Sequence, residues 1–171
     1  STMPWPNRYR TSIAAASRAG RSTSAAAADA FTPDAVTRLL AAKNRGRAMP
    51  VPVLIGEAST LAGLVLRTPP VAHRLAEAFW PGALTLVLAG GGGRLPDGLR
   101  GPGGGIAVRY TGHRQVAALI RSLGEPLTST SANRPGTPPA PGPENIGVLF
   151  GEAVADGSLL VLDGGSLGNV P

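Results

Sequence analysis

The chain has 171 residues and a formal net charge of +6, with 43% hydrophobic but only 4% aromatic residues, so one domain with a core of Ala, Val, Leu and Ile is expected. The absence of cysteine excludes disulfides, thiolate catalysis and Cys-based zinc or iron–sulfur sites. His73 and His113 have no carboxylate at ligand spacing, which argues against a metal site made of protein ligands, and no apolar run is long enough to span a bilayer.

From Ser1 to Ala28 there are four arginines (Arg8, Arg10, Arg18, Arg21) and no acidic residue. This Ser- and Ala-rich segment reads as a transit peptide, a disordered arm or an atypical beginning. Residues 1–27 are therefore set apart from a folded domain over 28–171, with order beginning near Asp29. The positive excess suits polyanionic ligands such as nucleotides or RNA.

In ADAFTPDAVTRLLAAKNRGRAMP, Thr32 is placed to cap a helix with Pro33 in its first position and Asp34 in its first turn. Val36, Leu39 and Leu40 fall on one face, Lys43, Arg45 and Arg47 crowd an exposed C-terminal end, and Gly46 and Pro50 stop the helix. VPVLIG from Val51 is a short strand, and Glu57 to Leu66 returns to helical spacing. PPVAHRLAEAF reads as a helix with Leu75, Ala78 and Phe79 inward, broken by Pro81-Gly82 ahead of a strand from Ala83 to Leu88.

The glycine tracts Gly90 to Gly93 and Gly101 to Gly105 read as a flexible hairpin connection, since no GKS or GKT follows them. IAVRY is a strand with Arg109 near its end. HRQVAALIRSLG is a helix with Val116, Leu119 and Ile120 on one face and Gly124 as its stop. PLTSTSANRPGTPPA follows, then a weaker helix around Asn145 to Val154 and the strand SLLVLDGG. This alternation predicts an α/β fold with a twisted mixed sheet and flanking helices, and ligand groups on loops at strand ends.

Three sets of residues carry candidate chemistry. Lys43 and Arg45 pair a point charge with a bidentate fork, suited to nucleotide phosphates, or else answer the helix dipole. Thr85, inside an apolar strand, needs a partner for its hydroxyl, either a backbone carbonyl or a ligand. Thr130, Ser131 and Asn133 follow a short strand and either form a solvent loop or converge on an anion or carbonyl, with Arg109 as a positive counterpart. Neither histidine has a serine and a carboxylate orienter near it, so each reads as a helix-surface or helix-start residue, and covalent hydrolase chemistry is not expected.

Taken in order, KNR, FWPGALTLVL, IAVRY, TSTSANRPGTPPA and LDGGSLGNVP resemble the YrdC/Sua family of threonylcarbamoyl-AMP synthases from about Ala28 to Pro171. The resemblance implies a YrdC-like fold and a cytoplasmic nucleotidyltransferase. Its substrates would be L-threonine, bicarbonate and ATP with Mg2+, and its products threonylcarbamoyl-AMP, used for the tRNA t6A base, and pyrophosphate. Partners would be tRNA or double-stranded RNA and the threonylcarbamoyl-transfer machinery; a non-catalytic RNA- or nucleotide-binding module is the alternative.

By position, Lys43, Arg45, Ser131 and Asn133 match the family's nucleotide contacts, whereas Thr85, Arg109 and Thr130 fall on the threonine and carbamoyl side. The family's opening PTDTVYGL-like motif has no counterpart in GRSTSAAA, where Ser22, Thr23 or Ser24 would be partial stand-ins. Pro138 and Pro139 stand where a serine is usual, and the chain stops before the family's final Ser-Thr and arginine. Relative to the family, the domain is therefore expected to be incomplete at both ends.

Overall fold

The computed structural model describes residues 13–16, 25–43, 51–134, 136–138 and 143–163. Strands β1 (Ile13–Ala16), β2 (Ala25–Ala27), β7 (Thr130–Ser131) and β8 (Leu160–Asp163) form one four-stranded sheet in the order β7-β2-β1-β8. Strands β3 (Val53–Ile55), β4 (Leu86–Leu88), β5 (Ile106–Tyr110) and β6 (Leu127–Thr128) form another, in the order β4-β5-β3-β6. Each mixes parallel and antiparallel pairs, as expected for the predicted α/β class.

The segment from Leu127 to Ser131 stitches the two sheets together. On one side Leu127 pairs with Leu54, and Ser129 N–H donates to the Pro52 carbonyl at 2.9 Å. On the other, Thr128 N–H donates to the Ala28 carbonyl at 2.7 Å, and Thr130 pairs with Ala26. The Thr128 hydroxyl, fully buried, accepts from Ala28 N–H at 2.8 Å and donates to the Ala28 carbonyl at 3.0 Å, so burial leaves it no unmet hydrogen bond.

The boundary drawn at Ala28 thus falls inside a sheet. Three alanines have no strand propensity to announce β2; it forms because β1 and β7 pair with both its edges. Ser22 to Ser24 and most of the basic segment lie outside the described residues.

Helix α1 (Pro33–Ala42) begins where Pro33 and Asp34 predict and turns Ala35, Val36 and Leu39 into the core. Thr32 sits at the cap position, but its hydroxyl donates to Asp29 Oδ2 at 2.8 Å instead of capping the helix. The buried Asp29 also accepts Phe31 N–H at 2.8 Å, so its carboxylate shapes the entry to α1. The core beneath α1 joins Val53, Ile55, Ile106, Val108 and Ile146, all fully buried, each worth about 1.5–3 kcal/mol of transfer free energy.

The Glu57 to Leu66 stretch forms only a one-turn helix, α2 (Thr60–Gly63). Helix α3 (Pro70–Phe79) corrects the predicted inward face: Ala72 is buried, whereas Leu75, Ala78 and Phe79 are exposed. Alanines at 72 and 76 permit close approach to Leu86 and Leu88 of β4, whereas Leu75 and Phe79, on the same helical stripe, are left exposed.

Between β4 and β5 the glycine-rich hairpin connection is anchored: Leu95 and Leu99 are buried, and Arg100 donates to the Gly90 and Gly104 carbonyls at 2.7 and 3.1 Å. Helix α4 (Arg114–Leu123) has His113 at its start, where Nδ1 accepts Val116 N–H, and ends at Gly124 in the left-handed region, φ 73°. Its Ile120 packs with Leu127, Leu54, Val116 and Leu119. Two short helices, α5 (Pro143–Leu149) and α6 (Gly151–Ala155), replace the weaker helix predicted near Asn145.

Candidate functional site

Lys43 follows α1 directly, its N–H still bonded to the Leu39 carbonyl at 3.1 Å. The expectation of an exposed helix end is corrected here: Lys43 is only 4% exposed, because its side chain runs inward to the segment after β7. Its ammonium donates to the Ser131 carbonyl at 2.7 Å, the Asn133 carbonyl at 2.6 Å and Asn133 Oδ1. The reading of Lys43 as merely answering its own helix dipole does not describe this geometry. Arg45, Arg47, Gly46 and Pro50 lie outside the described residues.

Asn133 is the hub of the cluster. Its Oδ1 also accepts from the Ser131 hydroxyl at 2.7 Å, and its Nδ2 donates to the Thr137 carbonyl at 2.5 Å. The side-chain amide is thereby oriented, with one N–H left for a ligand. Ser131 spends its proton on Asn133, so its oxygen is presented as an acceptor.

Thr130 and Ser131 follow the short strand β6, as expected, and themselves form β7, where adjacent residues face opposite ways. Thr130 pairs with buried Ala26 and is itself 6% exposed, with Oγ1 lacking a hydrogen-bond partner. Such a group costs about 1–3 kcal/mol if nothing reaches it.

Arg109 and Thr85 belong to a different corner. Arg109 Nε donates to the Gly82 carbonyl at 2.7 Å, and Gly82 N–H returns to the Tyr110 carbonyl at 2.9 Å. Trp80 Nε1 closes the same turn on the Leu84 carbonyl at 2.8 Å. The strand predicted from Ala83 starts only at Leu86, and Thr85 is exposed, so its hydroxyl has water and needs no protein partner. One further step of the β4–β5 register sets Thr85 opposite Arg109. Arg109 aligns through Leu54 to Leu127, two strand spacings or roughly 10 Å away, and its side-chain bond is to Gly82 rather than to Ser131 or Asn133.

His73 is exposed on α3 and His113 starts α4, as read from sequence. Residues that sequence reasoning missed are Thr128, Thr137 and Gly82. The repeated hydroxyls of LTST were a signal for Thr128, whereas Thr137 and Gly82 act through backbone groups that composition does not reveal. Among the described residues no three His, Cys, Asp or Glu side chains gather as a metal site, and no helix is long and apolar enough to cross a membrane.

The family described as Sua5/YciO/YrdC, telomere recombination, has a sequence model that matches residues 22–170. A Mycobacterium tuberculosis protein provisionally named threonylcarbamoyl-AMP synthase is 42% identical over 128 residues, 75% of this chain and 58% of that protein. The threonylcarbamoyl-AMP synthase of Chromohalobacter salexigens is 38% identical, over 73% of this chain and 68% of that protein. P. abyssi Sua5 complexed with L-threonine superposes with a TM-score of 0.75 at 27% identity, covering 93% of this chain and 45% of that one. E. coli YciO, at 24% identity and a TM-score of 0.73, shares the fold over 94% of this chain and 75% of its own. The chain therefore spans 58% of the mycobacterial relative and 45% of P. abyssi Sua5, less than two thirds of each.

Proposed function

This chain belongs to the Sua5/YciO/YrdC family, and from that premise we propose that it forms threonylcarbamoyl-AMP, pyrophosphate and water from L-threonine, bicarbonate and ATP. The observation that carries this reading is the convergence of Lys43 on the segment bearing Ser131 and Asn133, a compact set of one cation, one oriented amide and one hydroxyl acceptor. The positive charge favours an anionic nucleotide, the remaining Asn133 Nδ2–H a phosphate or carbamoyl oxygen, and the Ser131 oxygen a donor such as a threonine or ribose group. Arg45 is assigned to the phosphates with them, and Arg109 and Thr85 to the threonine side.

Catalysis of this kind is positioning plus charge neutralisation, with no covalent enzyme intermediate. Among the described residues the donor set near Lys43 offers amide, hydroxyl and carbonyl groups and no carboxylate cage, which fits magnesium arriving on the triphosphate and keeping water ligands. Bound there with the nucleotide, the ion would neutralise phosphate charge. The product is assigned to cytoplasmic tRNA t6A modification, through contact with tRNA and the threonylcarbamoyl-transfer machinery.

The test is pyrophosphate release by this chain with ATP, L-threonine and bicarbonate. Release that needs all three supports the proposal. No release, together with salt-sensitive binding of tRNA, leaves the non-catalytic RNA-binding module, a reading that the net charge of +6 favours.

A further inference from the structure

We infer that Lys43 is a positioning residue that builds the Ser131–Asn133 cradle, rather than a direct ligand of the triphosphate. This rests on the proposed reaction for its functional meaning, though its structural basis does not. An ammonium has three N–H donors and no acceptor. The carbonyls of Ser131 and Asn133 and the Asn133 side-chain oxygen supply three acceptors, enough to engage all three donors.

The electrostatics point the same way. Three oxygen dipoles are turned toward one point, beside the C-terminal end of α1, which is itself the negative end of a helix dipole. Asn133 N–H also donates to the Ser131 carbonyl at 3.1 Å, but without a cation at their centre the three oxygens repel one another. With it, Asn133 Oδ1 is fixed as acceptor, Nδ2 is aimed at Thr137, and the Ser131 proton is drawn to Oδ1.

Burial completes the case. At 4% exposure, Lys43 is reachable by a phosphate only if that phosphate displaces carbonyls already in place and is itself stripped of water. Val36 and Leu39 lock α1 into the core, so the cation is delivered to the segment from a rigid base. Lys43 therefore acts on the nucleotide through Asn133 and through its field.

The experiment is Lys43→Met, which keeps the aliphatic stem and removes the donors, read by NMR in ligand-free protein and by steady-state kinetics. The expected result is displaced side-chain amide resonances of Asn133 and displaced backbone amides from Ser131 to Thr137. In turnover, kcat falls by about 100-fold, the penalty of a misplaced contact, while KM for ATP is nearly unchanged. Unmoved Asn133 resonances, or a loss confined to KM for ATP, would overturn the inference in favour of direct phosphate ligation. If the methionine variant does not fold, Lys43→Gln, which retains two donors at shorter reach, is read by the same criteria. An unmodified chain without turnover removes the proposed reaction but leaves the NMR comparison to decide the role of Lys43.

Discussion

Arg109, in the inner strand β5, and Gly82, in the turn ahead of β4, are tied by a 2.7 Å bond from the guanidinium Nε to the glycine carbonyl. With the return bond from Gly82 N–H to Tyr110, it docks the Trp80–Leu84 turn onto the end of β5. Arg109→Ala removes a charge-assisted bond and is expected to cost about 1.5–3 kcal/mol in urea unfolding. If Arg109 also serves the threonine side of the proposed reaction, KM for threonine rises in the same variant; an unchanged KM restricts the residue to the turn.

Gly82 and Gly124 respond differently to an added methyl group. A Cβ on Gly82 comes to 2.5 Å from the Phe79 carbonyl oxygen, a rigid backbone atom, so the turn itself must shift. At Gly124 nothing lies within 4 Å, and only the left-handed φ of 73° is strained by alanine. Gly124→Ala is expected to lose about 1–2 kcal/mol, and Gly82→Ala more. Denaturation midpoints of the two variants, measured side by side, check the order.

Thr130 carries a buried hydroxyl with no partner, so removing that hydroxyl at constant shape should relieve a penalty. Thr130→Val is expected to raise stability by about 1 kcal/mol or leave it unchanged. A clear fall in the unfolding midpoint would mean that the hydroxyl is satisfied in solution. A rise in KM for threonine without loss of stability would place Thr130 in contact with substrate.

Phe79 is 58% exposed at the end of α3, whereas Ala72 on the same helix is buried against β4. Phe79→Ala should cost well under the roughly 3–5 kcal/mol of a buried phenylalanine, while Ala72→Leu overpacks the contact and costs about 1–3 kcal/mol. Thermal unfolding of both variants tests which part of the helical stripe is packed, and the opposite ranking would restore Phe79 as the inward residue predicted from periodicity.

Periodicity misled on α3 because Ala72, Leu75, Ala76 and Phe79 share one helical stripe, yet only its alanines meet β4 while Leu75 and Phe79 stay exposed. The close fit of Ala72 and Ala76 to Leu86 and Leu88 is a property of two surfaces, and no single-helix pattern encodes it. The same limit applied to β2, whose alanines become a strand only between two partners, and to Thr85, whose place depends on where the β4 ladder starts.

Local signals succeeded where the physics is local. Pro33 and Asp34 start α1, His113 and Gly124 bound α4, and the apolar run of IAVRY makes β5, since capping, φ preference and strand burial act over a few residues. The ordered motifs likewise sufficed to identify the family and its α/β class. What only the tertiary structure decided is how those motifs are joined: Lys43 is buried and bonded to residues 88 and 90 positions away, while Arg109 is turned to Gly82 instead. A lysine's preference for water is a local property. Three oxygens gathered from distant chain can outweigh it, and no neighbour in the sequence announces them.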